Sequence, residues 1–166
     1  MLPMCSPALA ASLLPQVWFK AEPMPSSIED LTPARAMVKY ISNAQKSDYV
    51  LLKLRDEDMH KMPPVPFIST PPEAGGQYIM VGAAARSQQL PFPVRHGVIL
   101  SPYIDEHNHV KGNNPSFEGD SGGACFKVSD GSLFAINLGR SEGASVLLPV
   151  SLPLAVIIEL QSAAAI

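Results

Sequence analysis

The chain has 166 residues, enough for one domain with a real core, and 46% hydrophobic with 16% charged content describes a globular protein, not a disordered one. A formal net charge of −3 with no basic cluster argues against a nucleic-acid surface, and no window approaches the roughly 18 to 20 apolar residues of a membrane-spanning helix. The 17 prolines and 11 glycines favour many short strands joined by turns over long helices.

Residues 1–32 read as an irregular segment. It holds an apolar, alanine-rich start, a short strand candidate at Val17-Trp18-Phe19, and the polar stretch Pro25-Ser26-Ser27-Ile28-Glu29-Asp30. No Lys or Arg precedes the apolar start, so it is not expected to act as a signal peptide, and Leu2-Pro3-Met4-Cys5 is a poor lipidation signal. Thr32-Pro33 suits a helix start, while the alternation in Met37-Val38-Lys39-Tyr40-Ile41 suits a strand nearly as well, and the sequence leaves both open. From residue 49 the strand signals become regular. Strands are expected at 49–54, 77–82, 94–101, 123–128, 133–138 and 145–148, with a proline-rich stretch, 62–72, as an extended linker between two halves. Ser129-Asp130-Gly131-Ser132 is a hairpin turn signal. Ser151-Leu152-Pro153 opens a terminal helix reaching about residue 161, with Ser151 as its cap. Short strands at turn-bounded intervals, closed by a C-terminal helix, predict a β-barrel.

The chain has two cysteines, Cys5 and Cys125. That count points to a reducing, intracellular setting or to a disulfide-free lineage. A Cys5–Cys125 bridge stays open, while the apolar strand around Cys125 favours a buried free thiol.

The most informative stretch is Gly119-Asp120-Ser121-Gly122-Gly123. Taken alone it could be a glycine-rich turn with an Asp-Ser cap. As a nucleophile loop, it would present the Ser121 hydroxyl beside backbone N–H groups able to hold an oxyanion, with glycine leaving room for a substrate carbonyl. Three further segments stand in matching order: Ser47-Asp48-Tyr49-Val50-Leu51-Leu52-Lys53-Leu54, then Pro71-Pro72-Glu73-Ala74-Gly75-Gly76-Gln77-Tyr78-Ile79-Met80-Val81-Gly82, and finally Leu133-Phe134-Ala135-Ile136-Asn137-Leu138-Gly139.

With these four features the chain resembles the trypsin-like (chymotrypsin-fold) serine protease family over about residues 35–162. The resemblance implies an all-β, double β-barrel fold over 33–166. A partial first barrel would run to about residue 62, and a complete second barrel with a C-terminal helix would occupy 73–166. It makes Ser121 the nucleophile, Asp48 the triad carboxylate, and the Gly119 and Ser121 N–H groups the oxyanion hole. Asn137, Leu138 and Gly139 fall on the strand that pairs with substrate backbone. Pro115, six residues before the nucleophile, falls at the base of the specificity pocket. With Asn113 and Asn114 beside it, that pocket is expected to be neutral and not to select Lys or Arg. Asp120 is implied to steady the loop by pairing with a cation or amides, outside the triad. The implied substrate is a peptide or protein, with no cofactor and no metal.

One part is missing. The family's order is His, Asp, Ser, with the histidine about 45 residues before the aspartate. The first histidine here is His60, after Asp48. A serine without an adjacent base is a weak nucleophile, because its proton has nowhere to go. His60, His96, His107 and His109 are not expected to substitute. The sequence therefore predicts a serine endopeptidase homologue that is inactive as delimited. Either the family pattern is truncated, the favoured reading because residues 1–32 match nothing in the family, or the chain is a pseudoprotease that binds peptides by strand addition. Asp105, Glu106, His107 and His109 also include metal-ligand types, although a solvated hairpin tip is the expected reading of that loop.

Overall fold

The computed structural model describes residues 16–19, 32–42, 48–61, 67–82 and 93–163, which fall into two compact units. The first unit is an antiparallel sheet of Gln16–Phe19 (β1), Thr32–Ile41 (β2) and Val50–Leu54 (β3), in the order β1-β2-β3. The ambiguous 32–41 segment is thus a strand. Its β-branched and aromatic residues, with a pairing partner on either side, outweigh the helix-start signal. β1 covers the expected Val17–Phe19 candidate. The remainder of the N-terminal segment, including the sites of the leader and lipidation readings and Cys5, lies outside the described residues. A 3-10 turn, Asp56–Lys61, follows β3. There the buried Asp58 carboxylate accepts the Arg35 N–H at 2.8 Å.

The second unit is a closed barrel of Gln77–Val81 (β4), Val94–Ser101 (β5), Val110–Gly112 (β6), Ala124–Lys127 (β7), Leu133–Ser141 (β8) and Ala144–Pro149 (β9). The strands are ordered β4-β5-β6-β9-β8-β7, and all pairings are antiparallel. Closure gives each of these strands a neighbour on both sides. The helix Ser151–Ala163 (α1) follows at the expected place. β6 was not expected, because Val-Lys-Gly is too short to display alternation. Of the proline-rich connection, residues 62–66 lie outside the description, while Phe67 to Ser69 run parallel to the start of β8. Ser69 N–H donates to the Leu133 carbonyl at 2.9 Å and Leu133 N–H to that of Phe67 at 2.8 Å. The 129–132 turn forms as expected, with Gly131 at φ +70.

Alternation along these strands points one face inward. Tyr78, Met80, Ile99, Val110, Cys125, Phe134, Ala135 and Leu147 form the core. Tyr78 meets the Phe134 ring edge-on, with centroids 5.5 Å apart. Its phenol fits because two neighbours lack side chains. A Cβ on Gly97 would come within 2.6 Å of the ring, and one on Gly112 would run into the hydroxyl oxygen. The hydroxyl donates to the side-chain carbonyl of Asn114, which satisfies a polar group in the core. Burial pushes the Tyr78 phenol and the free Cys125 thiol each up to about 12, so neither ionises near neutral pH. Among the described residues no helix is long and apolar enough to cross a membrane.

Candidate active site

The segment between β6 and β7 carries the nucleophile motif, and its shape follows from Asp120. The Asp120 side chain is 0% exposed. Its Oδ2 accepts the Phe117 N–H at 2.9 Å and the Arg95 Nε–H at 3.0 Å. The Asp120 N–H donates to the Phe117 carbonyl, and the Gly123 N–H to the Asp120 carbonyl, both at 3.0 Å. Gly119 sits at φ +91, in the left-handed region that favours glycine. Residue 120 is therefore the hub of the loop, and the cation that pairs with it is Arg95 of β5.

β8 holds the loop from the other side. Asn137 is fully buried, and its Nδ2 donates to the Asp120 carbonyl and to Ser116 Oγ, both at 3.0 Å. Its backbone N–H donates to the Gly123 carbonyl and its own carbonyl accepts the Gly122 N–H, both at 2.8 Å. These groups of Asn137 bind the loop or its flank. Leu138 and Gly139 remain the candidates on that strand. β8 bulges against β9 there, with Asn137 opposite Leu147 and Gly139 opposite Val146, so Leu138 has no partner in register.

Ser121 is exposed, and its hydroxyl donates to the Leu138 carbonyl at 2.5 Å. Among the described residues that is its hydrogen bond, and no imidazole shares it. An amide carbonyl is far too weak a base to remove the proton. The N–H groups of Gly119 and Ser121, by contrast, have no hydrogen-bond acceptor among the described residues.

Asp48 is exposed, and its charge acts on His109. That histidine lies in the loop between β5 and β6, with a side chain 16% exposed and Nε2 buried without a partner among the described residues. Burial holds the His109 imidazole below its usual range. Asp105 and Asp48 oppose this, while Lys111 and His107 reinforce it. The same loop is closed by Asp105, whose Oδ1 accepts the N–H groups of His107 and His109, each at 2.9 Å, and whose Oδ2 lies 3.2 Å from Lys111 Nζ. Burial works against the Asp105 charge, yet these donors together hold the carboxyl below its ordinary value. With its oxygens so engaged, Asp105 closes a turn, and the described residues hold no group of three or more metal-ligand side chains. His96 is exposed on β5 opposite Ile79, His107 is exposed, and the side chain of His60 lies outside the description.

Pro115 is exposed and its carbonyl accepts Asn114 Nδ2 at 3.2 Å. The two amides beside it differ in setting, Asn113 being exposed and Asn114 buried. Asn113 Oδ1 accepts the Val98 N–H at 2.7 Å, and Asn114 is fully buried against Tyr78. Sequence reasoning missed Arg95, whose one signal is a cation near the start of an otherwise largely apolar strand, β5.

No family model matches the sequence, and no curated protein matches it. Among solved structures, that of a serine endoprotease from Yersinia pestis superposes with a TM-score of 0.60 at 21% identity, over 84% of this chain and 50% of that one. The chain thus spans about half the length of that neighbour. The likeness establishes the fold: all-β and trypsin-like, with a closed six-stranded barrel, a C-terminal helix and, among the described residues, a second sheet of three strands.

Proposed function

We propose that the chain is a serine endopeptidase homologue that binds extended peptide along Leu138 and Gly139, and that its Ser121 is not activated. The observation that supports this reading is the Ser121 hydroxyl resting on the Leu138 carbonyl while the Gly119 and Ser121 N–H groups stay open. A peptide adding to this strand would donate its own N–H to the Leu138 carbonyl, displacing the hydroxyl. Its carbonyl would then reach the two N–H groups, and Pro115 would offer an uncharged base to the side chain before the bond.

Turnover would need an imidazole against Ser121 Oγ. The oxygen would then attack the peptide carbonyl as its proton passed to the base, and the oxyanion would sit on the Gly119 and Ser121 N–H groups. The amine would leave with that proton, and water would hydrolyse the ester. Labelling with a fluorophosphonate probe, with Ser121→Ala as control, tests the reading. We expect no labelling above the control, together with binding of neutral extended peptides that Gly119→Ala weakens by straining the left-handed loop. Labelling that disappears in Ser121→Ala would show an activated serine and replace this reading with an active endopeptidase.

A further inference from the structure

We infer that the charged face of the β2–β3 ladder is a docking surface for an acidic segment of a partner protein, one with an apolar residue among its acids. This surface lies in the first unit and uses neither Ser121 nor Leu138. Strand register gathers onto it four of the chain's 12 Lys and Arg residues. Ala36 and Leu54 are partners across β2 and β3 and both are buried, which defines one face of the ladder. Alternation then puts Met37 and its partner Lys53 on the opposite face. Arg55 N–H donates to the Arg35 carbonyl at 3.1 Å, which carries the register one step further and sets the two arginines side by side. The bulge between Val38 and Tyr40 makes Lys39 the extra residue opposite Leu51, on the side that Tyr40 and Leu51 share.

Arg35, Lys39 and Lys53 are exposed, and Arg55 is partly so. β2 and β3 contain no Asp or Glu. Of the acids in the turn that follows, Glu57 lies 3.6 Å from Arg55, Asp58 is buried on the Arg35 N–H, and Asp56 is exposed. A face that served only solubility would mix its signs, and like charges directly opposite one another destabilise a sheet. Arg35 beside Arg55 is therefore a cost within the fold that an acidic ligand converts into attraction. From Arg35 to Lys39 the strand covers roughly 13 Å, about the reach of four extended residues. Met37, 41% exposed, offers an apolar contact among the cations. That reach suits a short peptide. A nucleic acid calls for a longer cationic track with aromatic platforms, and the aromatic described on this face is the half-buried Tyr40.

Fluorescence anisotropy tests this with the intact chain and a fluorescein-labelled peptide of glutamates around a central leucine. Lys39→Gln and Lys53→Gln each remove one charge from the face, and Lys127→Gln removes one from the barrel as a control. We expect each of the first two to weaken binding by about fivefold and the control by less than about twofold. Raising salt from about 50 mM to about 300 mM should weaken wild-type binding as well. Equal weakening by all three substitutions would overturn the inference, since net charge alone would then explain the binding. Failure of the peptide to bind wild type, or binding that neither Lys39→Gln nor Lys53→Gln weakens, would overturn it too. Tighter binding of an oligothymidylate of equal charge would overturn the choice of partner and make the face a nucleic-acid surface. None of these variants alters Ser121, Leu138 or Gly139, so the result is read independently of the peptide-binding proposal.

Discussion

Two loops of the barrel are built around an aspartate, and they end as different things. Asp105 and Asp120 each accept backbone N–H groups and each meet a cation. Asp105 draws its donors from within its own turn and its cation from Lys111, six residues on, and its side chain stays 28% exposed. Asp120 takes its cation from β5 and is backed by Asn137 of β8, with no exposure at all. The chemistry of the carboxylate is shared, and tertiary context separates a surface turn from a held site. An aspartate can close a turn unaided, but it can hold a loop from inside the barrel only when the rest of the fold locks it in place.

The sharpest way to break that comparison is to remove each carboxylate. Asp120→Ala leaves the Arg95 guanidinium unpaired where it is mostly buried and strips Phe117 N–H of its acceptor, which should cost about 3–5 kcal/mol. Asp105→Ala frees backbone N–H groups near the surface and a Lys111 that water can reach, so about 1–2 kcal/mol is expected. Urea unfolding of the two variants measures both. Equal losses would mean that burial does not set the difference between the loops.

How far the sequence shows this contrast depends on where each determinant lies. The nucleophile motif is legible because its five residues are contiguous and its glycines answer a local backbone need. The barrel was legible from alternation in β4, β5, β7, β8 and β9, while β6 escaped notice because three residues cannot establish a period. The 32–41 segment stayed ambiguous until β1 and β3 supplied partners on both sides. Arg95 was not legible, since its partner lies 25 positions away and pairing across β5 and the loop is a tertiary fact. Asn137 was legible as a residue of the strand beside the loop, and its hydrogen bonds to the loop were not. Sequence shows that a strand runs beside the loop, not which of its groups the loop already occupies.

A third test sharpens the comparison through pH. The folded-state value of His109 lies below its usual 6.5, so as pH falls through that range the unfolded chain takes up a proton before the folded chain does. Stability should therefore decline from pH 7.5 toward pH 5, and His109→Gln should flatten the decline. Asp105 titrates elsewhere. Its folded value lies below 3.8, so its stabilisation is present above 3.8 and is lost only as pH falls through the folded value. Within the window from 7.5 to 5, however, Asp105 favours the protonated His109, so Asp105→Ala should make the decline steeper. Urea midpoints at the two pH values check both signs. A decline unchanged in His109→Gln would mean the imidazole is already hydrated in the folded loop.

The smallest effect is expected at a third aspartate, which extends the contrast to full exposure. Asp130, in the turn between β7 and β8, accepts the Ser132 hydroxyl at 2.5 Å and the Ser132 N–H at 2.9 Å. Those two donors, the hydroxyl foremost, hold its carboxyl below 3.8, so its stabilisation is present above that pH and is lost as pH falls through the folded value. Ser132 itself is fully buried and also meets Ser69 Oγ at 2.6 Å. In Asp130→Ala the hydroxyl can keep Ser69 as its partner while water replaces a carboxylate that was already in water. The unfolding midpoint at pH 7 should therefore move less than in Asp105→Ala. A loss as large as that of Asp105→Ala would show that hydrogen bonds to the carboxylate, and not its removal from water, decide what an aspartate turn contributes to this barrel.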